Sequence, residues 1–173
     1  MPRWALPIFC KVTFHVARQQ SRGAAVMLGR LAAVAREIMK SKPALELADV
    51  KKIAAAAEAE ALRNHWAVSI AVVDDGGHLL WLQRLDGAAP VSAHIAPAKA
   101  STAALGRRDS KGYEDIVNGG RTAFLSVREL PGMLEGGVAA MKDGQCVSAV
   151  GVSGVKSSED AQIARAGLHA IGL

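Results

Sequence analysis

Apolar and polar residues alternate along residues 43–173 with two periods, one helical and one strand-like. The segment ALELADVKKIAAAAEAEALRN (44–64) is rich in alanine and repeats apolar residues at helical spacing. The predicted helix has as its apolar positions Leu47, Val50, Ile53, Ala54 and Ala57. The next segment, HWAVSIAVVDDGGHLLWLQRLDG, holds two strand-like runs around a DDGG turn, which predicts a β-hairpin.

In the second half of the chain the pattern predicts another helix, a connecting region, a second hairpin and a final helix. PAKASTAALGRR predicts a helix with Pro97 in its first turn. Residues 109–137 are dotted with glycines and predict a connecting region, with a short helix around 122–129. GVAAMK and QCVSAVGVSG predict a second hairpin, and SSEDAQIARAGLHAIG a final helix. Strands joined by tight turns are antiparallel. The sequence therefore predicts an α+β fold with helices packed on an antiparallel sheet.

Charge is distributed unevenly along the 173 residues. Residues 1–42 carry eight basic and one acidic side chain, a net +7, whereas residues 43–173 carry 13 basic and 15 acidic ones, a net −2. The overall charge of +5 therefore belongs to the N-terminal segment, and we predict no nucleic-acid partner for the rest. No apolar run reaches the length of a membrane span.

Three interpretations of residues 1–42 compete. A secretory signal would need a longer apolar centre, because WALPIF is short and AAVMLGRLAAVA is broken by Arg30. A basic amphipathic helix over 24–38 could contact a membrane or a partner. The favoured interpretation is a basic extension outside the functional unit, with a start at Met39 and a domain over 43–173. A cytoplasmic location is then expected, or a secreted one if the segment is a signal.

The stretch AVGVSGVKSSEDAQIARAG (149–167) superficially resembles a nucleotide-binding loop. A P-loop needs a glycine directly before the lysine, but Val155 separates Gly154 from Lys156. Acidic Glu159 and Asp160 would repel a phosphate and instead suit the first turn of a helix. We therefore predict that the glycines end a strand and that a serine caps the helix.

Three stretches together resemble the GlcG/HbpS family of haem-binding or haem-degrading proteins. They are SIAVVDDGGHLLWLQRLDGA, SAHIAPAKASTAA and GGVAAMKDGQCVSAVGVSGVKSSEDAQIARAG. The resemblance covers about residues 43–173. It implies a three-layer α/β/α fold around a five-stranded antiparallel sheet, similar to profilin, and a homo-oligomer, often an octamer. The same domain resembles the C-terminal part of PduO-type corrinoid adenosyltransferases.

The first candidate site lies in AKASTAA. Lys99 and Thr102 are three residues apart and share a helix face that is otherwise alanine and leucine. The motif matches the family pattern, which implies a haem site with Lys99 on a propionate and Thr102 near the iron. The alternative is a solvated Lys99 and a Thr102 that bonds to its own helix.

Histidine is the usual protein ligand of haem iron. His94 lies before the Lys99 helix and is a second candidate iron ligand, on local grounds alone. His65, His78 and His169 are predicted to be structural or solvated, and no histidine pair has a metal-binding spacing.

Arg84 and Asp86 in RLDGA follow the second strand and match the family. Arg84 could hold a carboxylate, or the two could pair to fix the turn. The leading hypothesis is a haem-binding protein, with weak oxidative haem degradation as an extension. The alternatives are an accessory protein that binds a small carboxylate such as glycolate, and a corrinoid-linked role.

Overall fold

The computed structural model describes residues 41–173, and their elements follow the predicted order of helix, hairpin, helix, connection, hairpin, helix. The elements are α1 (Leu47–Arg63), β1 (Ser69–Asp74), β2 (Leu79–Arg84), α2 (Ser92–Gly106), α3 (Lys111–Asn118), a 3-10 helix (Thr122–Ser126), β3 (Gly137–Lys142), β4 (Gln145–Ser153) and α4 (Ser157–His169). The predictions of a signal, a helix at 24–38 and a start at Met39 lie outside the described residues. No described helix is long and apolar enough to cross a membrane.

Both predicted hairpins are confirmed, and they form one antiparallel sheet in the order β2-β1-β4-β3. The prediction of five strands is wrong for residues 41–173, where the sheet has four. The connection over 109–137 adds no strand, because it folds into α3, the 3-10 helix and coil. The profilin-like topology stays a prediction.

Helices cover both faces of the sheet, so the described part of the chain has three layers. On one face, α1 and α4 pack on valines and isoleucines of the strands. On the other face, the apolar side chains through which α2 packs on the sheet are alanines, and that smaller cluster consists of Ala71, Val73, Ala96, Ala100, Ala103, Ala104 and Ala149. The side chains at the α2 interface are small, so the helix can lie close to the sheet.

Helix α2 begins at Ser92, five residues before the predicted start. Pro97 therefore lies inside the helix, and the prediction that it occupies the first turn is wrong. The turn at 89–91 starts the helix instead, because the Ser92 hydroxyl and backbone N–H both donate to the Ala89 carbonyl. The early start places His94 in the helix rather than in the preceding loop.

Two further details differ from the sequence prediction. Leu47, at the very start of α1, is exposed, because the buried stripe of this helix begins at Val50. Helix α4 is capped by an acid and not by a serine: the Lys156 backbone N–H donates to Glu159 Oε2 over 3.2 Å. The acidic first turn of α4 is confirmed.

Candidate functional site

Lys99 is buried inside the chain and paired with a carboxylate. Its Nζ lies 2.8 Å from Asp160 Oδ2 and donates to the Val152 carbonyl oxygen over 3.1 Å. Only 3% of Lys99 and 1% of Asp160 is exposed. The second Asp160 oxygen accepts the Val155 N–H over 3.2 Å. The ammonium group is therefore held by groups of its own chain, and the alternative of a solvated lysine is wrong.

The electrostatics of this pair follow from its burial. Burial raises the pKa of Asp160 above its ordinary value, whereas the hydrogen bond and positive charge of Lys99 and the N–H of Val155 act in the opposite direction. A buried carboxylate without a cation beside it would be costly to keep charged. The geometry can therefore tie α2 to the start of α4, and it fixes both layers to the end of β4.

Thr102 is fully buried one turn further along α2. Its Oγ1 accepts the backbone N–H of Gly132 over 2.9 Å. A side chain at Gly132 would meet the backbone of Ala98 and Lys99, so the connecting segment lies directly against the helix. In place of the alternative, a bond from Thr102 to its own helix, the structure shows this bond to the connecting segment. The haem roles of Lys99 and Thr102 stay predictions.

Arg84, Asp86 and His94 are exposed, unlike Lys99 and Thr102. Arg84 pairs with Ser69 across β1 and β2, and Ser69 Oγ lies 2.7 Å from Ser92 Oγ at the start of α2. Residues directly opposite in a sheet project from the same face. The Arg84 side chain therefore leaves the sheet on the α2 side, beside the N-terminal turn of the helix that carries His94.

An apolar surface accompanies these polar groups. Leu79 and Leu82 lie opposite Val73 and Ala71, which belong to the α2 cluster, so both leucines project from the α2 face. They are 51% and 41% exposed, because α2 covers the central strands and leaves β2 open. We call this surface the β2 face and define it by Leu79, Leu82 and Arg84 of β2 together with Val91 and His94, which are exposed at the adjoining start of α2. The structure thus places Arg84 among exposed leucines on the α2 side of the sheet, and His94 is exposed on the helix whose first residue contacts Ser69.

The predicted Arg84–Asp86 ion pair is absent from the described residues. The other histidines of residues 41–173 are exposed: His65 follows α1, His169 lies in the last turn of α4, and His78 pairs with Asp74 over 3.1 Å. Residues 41–173 contain no cluster of three His, Cys, Asp or Glu that could hold a metal ion. Cys146 is buried, and burial raises the pKa of its thiol.

Sequence reasoning missed Asp160 as a member of the buried site. Its position in the first turn of a helix was sufficiently explained by the helix dipole, so nothing pointed to Lys99 across 61 residues. The closely packed glycines gave a usable signal. At Gly151 an added Cβ would lie 2.1 Å from the Ala96 carbonyl oxygen, and at Gly137 2.2 Å from the Lys99 carbonyl oxygen.

Comparisons with known proteins converge on one family. The profile of the family described as "haem degrading protein HbpS-like" matches residues 45–169. Protein GlcG of Escherichia coli strain K12 is 56% identical over 115 residues, which span 66% of this chain and 85% of GlcG.

Two solved structures extend these matches to the fold. The crystal structure of HbpS has a TM-score of 0.71 and 30% identity, covering 78% of this chain and 95% of that one. A crystal structure of a PduOC–haem complex has a TM-score of 0.70 and 27% identity, covering 75% of this chain and 96% of that one.

Proposed function

Because the chain belongs to the HbpS-like family, we propose that it binds haem, and that the β2 face holds the ligand. The observation that carries the proposal is the match to a relative whose crystal structure is a haem complex. The β2 face supports the location, since it combines exposed apolar side chains with an exposed cation and an exposed imidazole.

The residues of the β2 face fit the chemistry of haem. Leu79, Leu82 and Val91 offer apolar area to a flat macrocycle. The Arg84 guanidinium suits a propionate, because it can donate two parallel hydrogen bonds to a carboxylate. His94 supplies the imidazole that haem iron commonly takes as a protein ligand. Asp86, exposed on the loop after β2, would lie at the solvent edge of the site, because its carboxylate would repel a propionate.

In the same proposal, Lys99 and Thr102 do not contact haem but hold helix α2 in place. Lys99 would have to leave Asp160 to reach a propionate, which would uncover a buried carboxylate. Thr102 would have to leave the Gly132 N–H to approach the iron. Both therefore fix α2, and with it the helical turn that presents His94, relative to the sheet.

Oxidative haem degradation is the further activity that we propose for this site. The bound haem iron would supply the reaction with oxygen or peroxide. The part of the chain described by the structure would orient the macrocycle through Arg84 and His94. An open β2 face leaves one side of a bound macrocycle accessible to solvent, as the entry of a small oxidant requires.

A second candidate function is binding of a small carboxylate without turnover, as in an accessory protein of glycolate utilisation. Arg84 favours it, because this exposed guanidinium has no ion-pair partner within the described residues. A corrinoid-linked role rests on the similarity to PduO of Salmonella typhimurium, which is 29% identical over 131 residues. The chain matches only 39% of that protein, so this role is the weaker alternative. A homo-oligomer, such as an octamer, belongs to the same proposal.

Titration of haemin into the full chain tests the haem proposal. We expect a saturable shift of the Soret band. His94→Ala should weaken binding at least about tenfold, or 1.4 kcal/mol, and move the band. The matched control is His169→Ala, which removes an exposed imidazole from the last turn of α4.

Each other outcome has a definite meaning. Absence of a saturable shift would refute haem binding. Protection of Arg84 from chemical modification by glycolate would then favour the small carboxylate as the ligand. Equal loss in both histidine variants would refute the special role of His94. Weak binding in Thr102→Val with normal binding in His94→Ala would move the site to the buried face of α2.

A further inference from the structure

The two edges of the sheet are treated differently by the chain. Strand β3 forms one edge and β2 the other. At the β3 edge, the Gly137 N–H donates to Ser110 Oγ over 2.9 Å, and the Ser110 N–H donates back to the Gly137 carbonyl over 2.9 Å. The Ala139 N–H donates to Asp109 Oδ1 over 3.2 Å. The segment 109–110 therefore occupies the hydrogen-bonding positions of a fifth strand.

The β2 edge has no such cover within residues 41–173. Its residues pair with β1, and no loop or side chain of the described part accepts or donates a backbone hydrogen bond at its outer side. The Leu85 N–H donates inward to Val68, so the alternation of a strand turns the backbone groups of Leu82 and Arg84 outward. An uncovered row of N–H and C=O groups is a template for another strand.

The side chains of β2 do not protect this edge either. The strand reads LLWLQR, with no charge before Arg84 and no proline. Leu79, Leu80 and Leu82 are all at least 40% exposed. Edge strands that remain unpaired usually carry lysine, proline or inward-pointing charges. A slight bulge at Val72/Val73 is the single irregularity of the β1–β2 pairing.

We propose that β2 is the interface through which two copies of this chain associate, by antiparallel pairing of β2 with β2 of the second copy. The interface is isologous, because a strand paired antiparallel with itself is related by a two-fold axis. Six residues per strand match the usual length of a strand in a sheet. The association joins two four-stranded sheets into one of eight strands.

Charge complementarity supports a second copy as the occupant. Antiparallel pairing brings Arg84, at the end of β2, towards the start of the partner's β2 and the turn that precedes it. That turn carries Asp74 and Asp75, whose side-chain partners among the described residues are His78 and Lys42. Arg84 itself has no ion pair in residues 41–173. In the haem-free pair, in which no propionate occupies it, the Arg84 guanidinium of each copy can face the acidic turn of the other.

Sedimentation of the haem-free full chain tests the interface independently of ligand binding. We expect an association that Leu82→Lys weakens at least about tenfold, because a charged side chain on an edge strand opposes pairing. The control is Leu125→Lys on the 3-10 helix, whose leucine is 66% exposed and lies outside β2. A monomeric wild type, or equal loss in both variants, would overturn the proposal.

Hydrogen exchange separates strand pairing from simple side-chain contact and does not depend on a variant that folds. In the associated wild type, the Arg84 amide should exchange more slowly than after dilution below the dissociation constant. An Arg84 amide that exchanges at the same rate in both states would refute β2–β2 pairing, even if the chain associates. If β2 pairs but haemin does not bind, the proposed function is refuted and the proposed interface stands.

Discussion

The Nζ atom of Lys99 lies 2.8 Å from Oδ2 of Asp160, and the contact joins helices that pack on opposite faces of the sheet. Lys99 reaches past Gly136, where an added Cβ would lie 2.8 Å from its Nζ. Glycine at this position leaves room for the contact. It holds the three layers together at the end of the sheet where β3 begins.

We expect Lys99→Met to lower the free energy of unfolding by about 3–5 kcal/mol, because the variant leaves Asp160 charged and buried without its cation. Chemical denaturation measures the change. Lys111→Met is the matched control: Lys111 and Asp115 are also 2.8 Å apart but are exposed, so its midpoint should hardly move. A double variant with Asp160→Leu should recover much of the loss; a purely additive double variant would contradict the pairing.

Stability of the first hairpin should depend on pH through Asp74. Burial raises the pKa of this carboxyl. The backbone N–H and ring of His78 and the N–H of Gly76 together lower the pKa by more, so it lies below its ordinary value of 3.8. A depressed folded pKa means that the carboxylate stabilises the fold above about pH 3.8 and that this contribution is lost as pH falls through the folded value.

Asp74→Asn should therefore have a lower melting temperature than the wild type at pH 7. The difference in melting temperature between the two should be smaller at pH 2.5. Thermal unfolding followed by circular dichroism across this range measures both. Asp143→Asn in the second hairpin turn is the control, because no hydrogen bond to the Asp143 side chain occurs in residues 41–173. A constant difference between Asp74→Asn and wild type at all pH values would show that the charge is not responsible.

Close packing of α2 on β4 predicts a large effect from one methyl group. An added Cβ at Gly151 would lie 2.1 Å from the Ala96 carbonyl oxygen and 2.6 Å from the Ala100 nitrogen. Because both are backbone atoms, Gly151→Ala must displace the helix, and it should cost at least about 3 kcal/mol of unfolding free energy, at the top of the overpacking range.

Gly112→Ala provides the contrast for that experiment. Gly112 lies in α3, and its nearest neighbours, at 3.6 Å or more, belong to the flexible Arg108 side chain. Alanine in a helix should stabilise by about 0.5–1 kcal/mol. Urea denaturation of both variants measures the difference, and a mild effect at Gly151 would mean that α2 can move away from the sheet easily.

The proposed haem site predicts a charge effect at Arg84. Arg84→Gln should weaken haemin binding about threefold to tenfold, because an exposed guanidinium loses a carboxylate partner worth about 1 kcal/mol. Arg121→Gln, which removes an exposed guanidinium stacked on Phe124, is the control and should leave the affinity unchanged. The ratio of the haemin affinity of Arg121→Gln to that of Arg84→Gln should shrink at high salt. Equal affinities would place the propionates elsewhere.

Local patterns predicted the elements with strong periodicity or strong turns. The DDGG and KDG turns defined both hairpins, and the alanine-rich pattern defined α1 to within a few residues. Helix α3 was not predicted, because Gly112, Gly119 and Gly120 suggested a loop, whereas Tyr113 packs against Gly106 and fixes a helix there. The start of α2 depended on the Ser92–Ala89 turn, which outweighed the preference of Pro97 for a first turn.

The candidate site was less predictable than the fold. The sequence identified Lys99 and Thr102 as unusual polar residues on an alanine helix, but it could not show that their partners would be Asp160 and Gly132. Those contacts span 61 and 30 residues and depend on how the layers stack. Arg84 and His94 were separate candidates in the sequence; the β1–β2 register puts Arg84 on the α2 side of the sheet, and the early start of α2 puts His94 inside that helix.

The cover over β3 by Asp109 and Ser110 limits how far β2 pairing can propagate. A chain with two uncovered edge strands can add further copies at both edges and form an open-ended ribbon. A chain with one uncovered edge strand has no free edge left once that strand is paired. The Arg165 guanidinium of α4 donates to Asp109 over 3.3 Å, so the segment that covers β3 is also bonded to a helix. Pairing of β2 with β2 as proposed would therefore stop at two copies, and larger assemblies would have to use other surfaces.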